Sequence, residues 1–183
     1  MNLLLLSGSF HSTSKTIAIL RDIQRTFDQY QMDIPELDAL PFYCEDLARE
    51  KPQLIRDFLL QVEQADGILI CTPEYNHSIP AVLKNAIDWV SRPAFNSPLK
   101  GKPVSFITQA ASPVGGARAQ AHLKLVLDST LSAIYMCHEM MISDVDAIFD
   151  RHMNVSDAQV RERLSRHVSG FVEFIEASGD KPD

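Results

Sequence analysis

The chain reads as an α/β protein, a doubly wound five-stranded parallel sheet with helices on both faces. Short apolar runs alternate along it with longer stretches whose apolar residues recur at threes and fours. Such alternation covers both faces of a parallel sheet with helices through right-handed crossovers. The runs at Leu3–Leu6 and Gly67–Cys71 are apolar without interruption, as strands buried on both faces are. Three chemically unusual loops follow three of these strand ends.

Taken in order, Leu3–Leu6 is the first strand, and Ile17, Leu20, Ile23 and Phe27 form one face of the first helix. Met32–Leu37 is a second strand weakened by Pro35, and the stretch from Leu40 to Lys51 is irregular. Pro52 opens a helix with Ile55, Phe58, Leu59 and Val62 inward, leading to the central strand Gly67–Cys71. The next helix runs from about Ile79 to Ser91, with Pro80 in its first turn, where a missing N–H costs nothing. The fourth strand is PVSFITQA, followed by a Gly-Gly loop and a helix to about Ser132. YMCHEMMI is the fifth strand, and Val160, Leu164, Val168, Phe171 and Ile175 stripe the last helix. The 183 residues are expected to form a single domain over 1–177, with 178–183 a frayed tail.

Composition narrows the function classes. A net charge of -7 and the lack of any basic patch exclude nucleic acid as a partner. Cys44, Cys71 and Cys137 are few, distant and odd in number, which fits reduced thiols in the cytoplasm. The apolar N-terminal run is too short for a signal peptide and has no basic flank, and no run approaches the roughly 20 residues of a membrane helix. Membrane insertion is not expected.

In open sheets of this kind ligands bind beyond the carboxyl ends of the strands, near the point where strand order reverses. The loops Gly8–Thr16, Pro73–Ser78 and Ala110–Gly116 leave such ends and are expected to build one site. Six residues from Ser7 to Thr16 carry hydroxyls and only one is glycine. At a helix N-terminus the unpaired N–H groups and the macrodipole favour an anion. Two readings of this loop stay open on the residues alone, a phosphate cradle and a Ser/Thr-rich helix cap. A Walker loop is not one of them, because its two glycines fall on Ser9 and Ser14; the dinucleotide fingerprint fails at Phe10 and Thr13.

The second loop opens the segment CTPEYNHSIPAVLKNAIDWVSRP. Pro73 stops the strand, Tyr75 offers a flat surface with a polar tip, and Asn76 offers a donor and an acceptor. These suit a flat heteroaromatic ring, or they are ordinary loop residues. The segment resembles the signature of the NADPH-dependent FMN reductase family, T-P-E-Y-N followed by a Pro and L-K-N-A-I-D-W, at Thr72–Asn76 and Leu83–Trp89. Gly8, Ser9 and Ser14 are similar to its G-S-x-R-x-x-S-x-N, and ASPVGGARAQAHL to its third flavin loop.

That resemblance implies a flavodoxin-like fold with FMN as cofactor and NAD(P)H as co-substrate. Ser9, Ser14 and Thr16 would hold the FMN phosphate, with Phe10, His11 and Lys15 beside them in the same loop. Pro73, Glu74, Tyr75 and Asn76 would border the flavin ring, largely through backbone atoms that stabilise charge on its reduced form, and Ser112 would approach from the other side. His11 stands where the family has Arg, and Thr16 where it has Asn, while the third loop is shorter than its usual form. FMN binding is therefore expected to be weaker than usual and to strengthen as His11 gains a proton.

The implied activity is hydride transfer from NAD(P)H through FMN to a quinone, azo, metal-oxyanion or flavin acceptor. It needs no acid or base from the protein, so no catalytic side chain is assigned. An FMN-binding electron carrier or redox sensor, and a flavin-free interaction protein, are the competing classes. No metal is expected, because the six histidines have no ligand spacing. Cys71 lacks the Arg of a phosphatase loop. Val82, Leu83, Ala86, Ile87 and Val90 form a broad stripe that is either packed within the domain or exceeds what the sheet covers, as a subunit interface would. The family's habit favours a homodimer or homotetramer.

Overall fold

The computed structural model of the chain describes residues 1–179. Its strands are β1 (Asn2–Ser7), β2 (Gln31–Asp33), β3 (Gly67–Pro73), β4 (Pro103–Gln109), β5 (Ala133–Ile134) and β6 (Met140–Ile142). Its helices are α1 (Lys15–Thr26), α2 (Glu45–Arg49), α3 (Gln53–Gln64), α4 (Ala81–Val90), α5 (Ala117–Ser129) and α6 (Ala158–Gly179). All pairings are parallel, in the order β2-β1-β3-β4-β5, with β6 also on β4. Strand order reverses between β1 and β3, the expected ligand position in such a sheet.

The unbroken leucines of β1 serve two cores. Leu4 and Leu6 face a layer built with α3, α4 and α5, together with Ile68 and Ile70 of β3. Leu3 and Leu5 face the opposite layer, built with α1 and α6, together with Leu69 and Cys71. Side chains alternate across a strand, so only a strand covered on both faces needs every position apolar.

Several boundaries differ from the sequence reading. Pro35 stops β2 after Asp33, and within the irregular 40s Glu45–Arg49 make one helical turn and a little more. The fifth strand is split. Ala133 and Ile134 pair with Pro103 and Val104, while Met140–Ile142 pair with Ile107–Gln109. Between them Met136–Glu139 leave the ladder, and Tyr135, whose N–H still donates to the Val104 carbonyl at 2.9 Å, packs its ring on His167, Phe171 and Phe174 of α6. Gly170 makes room, since a Cβ there would lie 2.2 Å from the Tyr135 hydroxyl. Ser178 and Gly179 still belong to α6, where the Ser178 hydroxyl donates to the Phe174 carbonyl at 2.7 Å. The rest of the expected frayed tail, 180–183, lies outside the described residues.

The same region holds a buried titratable group. His167 contacts the Ser105 hydroxyl through Nε2 at 2.8 Å and the Cys137 thiol through Nδ1 at 3.5 Å. Desolvation lowers its pKa from 6.5 to about 4. The unfolded chain therefore binds a proton below about pH 6.5 that the native state refuses until about pH 4, so stability is lost as pH drops through that window and levels off below it. The full loss is on the order of 3 kcal/mol. Denaturant melts from pH 7.5 to 4 are expected to show this decline, and His167→Gln to flatten that part of the profile; an unchanged slope in the variant would assign the decline to other groups.

Candidate active site

The three loops expected to form one site leave the carboxyl edge of β1, β3 and β4 side by side. Register brings them level, since Ser7 pairs with Cys71 and Cys71 with Ile107. The first loop leaves β1 through Gly8, whose N–H donates to the Cys71 carbonyl at 2.8 Å. A Cβ at Gly8 would lie 2.1 Å from the Thr72 hydroxyl oxygen, so only glycine lets the chain pass so close to β3. Ser7 Oγ then donates to the Ser9 carbonyl at 2.7 Å, tightening the turn.

Ser14 is the N-cap of α1, its hydroxyl accepting from the Ile17 N–H at 3.2 Å. Among the described residues the N–H groups of Lys15 and Thr16 find no acceptor, nor does the Ser9 hydroxyl find a partner. The helix thus presents two unpaired donors and its positive end at the loop. Three predicted residues are engaged elsewhere. The Thr16 hydroxyl is fully buried and accepts from Gln109 Nε2 at 3.2 Å. Lys15 pairs with Asp146. His11 accepts the Thr13 N–H on Nδ1 at 3.2 Å, a contact inside the loop itself. Phe10 stands out from the loop, 62% exposed.

The second loop is a tight reversal. Tyr75 and Ser78 exchange N–H···O=C bonds of 2.9 Å, and Asn76 and His77 between them have φ of 49° and 65°. Two successive left-handed residues make a type I′ turn, which Asn tolerates well. The Ser78 hydroxyl meets His122 Nδ1 of α5 at 2.6 Å, fixing the turn from behind. Tyr75 is left 54% exposed at its start. The Tyr75 N–H is spent inside the turn and the Glu74 N–H on the Gln109 carbonyl at 3.3 Å. Of the N–H groups expected to face a ring, the Asn76 N–H alone has no acceptor among the described residues.

Glu74 does something the sequence did not announce. Its Oε2 accepts from the Arg118 and Ala119 N–H groups at 3.1 and 3.3 Å, and its Oε1 from Arg118 Nη1 at 3.3 Å. A carboxylate at the first turn of α5 satisfies orphan donors and opposes the helix dipole. The β3 loop thereby caps the helix that follows the third loop. That helix is entered through Gly115 and Gly116, with φ of 63° and 83°. A Cβ on Gly116 would sit 2.9 Å from Thr108 Cβ. Ser112 is exposed on the same loop, its carbonyl accepting from the Gly115 N–H at 3.3 Å.

The signature helix α4 also turns out to be an anchor. Asn85 accepts from the Tyr43 N–H at 2.8 Å and donates to the Pro41 carbonyl at 3.1 Å, and Trp89 Nε1 donates to the same carbonyl at 2.7 Å. Tyr43 lies edge-on to Trp89, their centroids 5.1 Å apart. The i,i+4 spacing of Asn and Trp was the available signal for this pair. Cys71 is fully buried and its thiol pKa is pushed far up by desolvation, which removes it from nucleophilic chemistry. Among the described residues no group of three metal-binding side chains forms.

A tight glycine turn into a helix start with two unpaired N–H groups, a Thr-Pro-Glu-Tyr-Asn reversal and a paired-glycine loop meet at one edge of a parallel sheet. Residues 1–146 match the model of the NADPH-dependent FMN reductases. The chain belongs to that family. It is accordingly a flavin-dependent NAD(P)H oxidoreductase with a flavodoxin-like fold. Among FMN reductase relatives, a protein named NADH:(hydroxy)cinnamate reductase subunit CrdA, from Vibrio ruber, is 35% identical over 96% of this chain and 88% of its own. A quinone reductase of Escherichia coli is 36% identical over 78% of this chain and 77% of its own. The solved structure of FerB, a flavoenzyme NAD(P)H:(acceptor) oxidoreductase from Paracoccus denitrificans, superimposes with a TM-score of 0.88 at 29% identity, covering 97% of this chain and 98% of that one.

The residues present fit FMN. Its phosphate needs donors without a carboxylate among them, and the α1 start offers the Lys15 and Thr16 N–H groups and the Ser9 hydroxyl. Its ring needs a flat ledge with a backbone donor, and the Tyr75–Ser78 turn offers Tyr75 and the Asn76 N–H. Glu74→Gln keeps the shape of the α5 cap and removes its charge. It is expected to cost about 0.5–2 kcal/mol in chemical denaturation and to loosen flavin retention on desalting. Wild-type stability in the variant would mean that the cap does not couple the two loops.

Proposed function

We propose that this protein reduces quinones with electrons from NAD(P)H through FMN held by the three loops. What most supports this is the start of α1, with the Lys15 and Thr16 N–H groups unpaired, lying level with the Tyr75–Ser78 turn across the β1/β3 switch point. The phosphate would meet the N–H groups of Lys15 and Thr16 and the Ser9 hydroxyl, with Ser14 holding the helix start in shape. Thr16 would contribute its backbone, since its hydroxyl is committed to Gln109. Pro73, Glu74, Tyr75 and Asn76 would border the ring on one side and Ser112 on the other. When bound, FMN supplies the two-electron chemistry, taking hydride from NAD(P)H and passing it to the acceptor. The protein's part is to orient. The Asn76 N–H would aim a donor at the ring edge where negative charge develops, and exposed Tyr75 and Phe10 would flank the reactants that occupy the open face in turn. The E. coli quinone reductase supports quinone as the acceptor class.

The name of the Vibrio ruber relative favours a second reading, a reductase subunit that hands electrons to a partner protein. Anaerobic NADPH is expected to bleach the bound flavin, and p-benzoquinone to restore its colour over many turnovers with this chain alone. Bleaching without quinone turnover would favour the subunit reading, and a protein that retains no FMN would end both. The three free cysteines support a reducing compartment such as the cytoplasm.

We also infer a homo-oligomer, on a different surface from the one the sequence suggested. Leu83, Ala86, Ile87, Trp89 and Val90 of α4 are buried within their own chain. The apolar excess lies instead on Phe42, Phe95 and Leu125, each more than 70% exposed. Phe95 shares a hollow with Ile87 and Asp88 of α4 and Val126 of α5. Phe95→Asp is expected to shift the protein toward monomer in sedimentation velocity, with its circular dichroism unchanged; an unaltered sedimentation coefficient would remove Phe95 from any interface.

A further inference from the structure

A second polar cleft lies behind the first loop. Ser14, Ile17, Ala18, Arg21 and Arg25 fall along one edge of α1, and across a gap lies the loop that leads to α6. The cavity between them measures about 410 Å³. It runs from Phe10 and His11, at the candidate phosphate loop, to His152 and Asn154. Its polar lining is two arginines, two histidines, hydroxyls and an amide, with no carboxylate.

Arg21 thus brings uncompensated positive charge to the cleft on a chain of net charge -7. Of the acids around the cleft, Asp33, Glu36 and Asp38 line a neighbouring hollow that Arg21 also borders, while Asp22 and Asp150 are committed. Asp22 pairs with Arg25 at 3.0 Å. Asp150 is turned into its own loop, where Oδ1 accepts from the N–H groups of His152 and Asn154 at 2.8 and 2.9 Å. Those bonds hold the segment in place with Met153 at φ 61°, so His152 and Asn154 line the cleft from a fixed backbone, the Asn154 amide donating to Asp150 and His152 Nε2 accepting from Arg151. Arg21 is exposed and among the described residues has neither an ion-pair partner nor a hydrogen bond. A guanidinium with five free donors beside a carboxylate-free cleft is suited to phosphate.

We propose that this cleft takes the phosphate-bearing half of NAD(P)H, with Arg21 as its principal phosphate ligand. FMN needs one phosphate site, and the start of α1 offers it. The co-substrate brings at least two more phosphoryl groups and must enter beside the flavin. The cleft begins at Phe10 and His11, in the same loop, and leads away along α1. Its charge would also draw a polyanion toward a protein whose overall charge repels one. The proposal rests on the flavin reading only in requiring that the nicotinamide end reach the ring.

The test separates the two. Isothermal titration with adenosine 2′,5′-bisphosphate, which has no nicotinamide, can be run on both the FMN-loaded and the FMN-free protein. Binding by the wild type that weakens about tenfold or more in Arg21→Ala, with an intermediate effect in Arg21→Lys, is expected. If it appears in the FMN-free protein it stands even should the flavin reading fail. In FMN-loaded enzyme of equal flavin content, Arg21→Ala is expected to raise KM for NADPH by a similar factor, with kcat and the KM for p-benzoquinone unchanged. Raising the salt should lower kcat/KM for NADPH less steeply in the variant. No binding of the bisphosphate by the wild type, equal binding by wild type and Arg21→Ala, or a rise confined to the quinone KM would each overturn the proposal.

Discussion

Parallel pairing of β1 with β3 and of β3 with β4, in a register that sets Ser7, Cys71 and Ile107 level, is the constraint on which the site depends. Three chains then emerge at one height within about 10 Å of each other, given a strand spacing of about 4.8 Å. The emerging backbones crowd, and the sequence meets the crowding with specific residues. Gly8 passes Thr72 without a side chain, and Gly116 passes Thr108 in the same way. Hydroxyls on the neighbouring strands satisfy the turns, Ser7 at the first loop and Thr108 at the third, where it donates to the Gly115 carbonyl at 3.0 Å.

The signature residues act mostly on other parts of the chain. Glu74 ties the second loop to α5, Ser78 ties it again through His122, and Gln109 links the end of β4 to α1 through Thr16. Asn85 and Trp89 pin the segment around Pro41. What remains free at the edge is backbone N–H and an occasional hydroxyl. That division suits a redox cofactor which carries its own chemistry, because the protein then has to supply rigid placement and few reactive groups.

Charge is distributed with the same economy. The loop that would meet the FMN phosphate contains two residues able to carry positive charge, yet Lys15 is drawn off by Asp146 and His11 is tied to Thr13. The helix terminus is left as the main electrostatic element there. The arginines of α1 point into the cleft behind it, where two acids are held in contacts of their own.

By itself the sequence determined the alternation of strands and helices, the burial of β1 and β3 on both faces, the edge at which ligands bind and the family. Those follow from local periodicity and from contiguous motifs, both of which survive in one dimension. Only the tertiary structure decided that Glu74 is a helix cap and that the hydroxyl of Thr16 is spent inside the protein. It also decided that the fifth strand is split and that the α4 stripe is buried within its own chain. Each of these depends on partners distant in sequence, such as Arg118, 44 residues from Glu74, Gln109, 93 residues from Thr16, and Gly170, which makes room for Tyr135. The chemistry of a polar side chain is set by which donors and acceptors reach it first, and distant partners are specified only when the sheet brings them together.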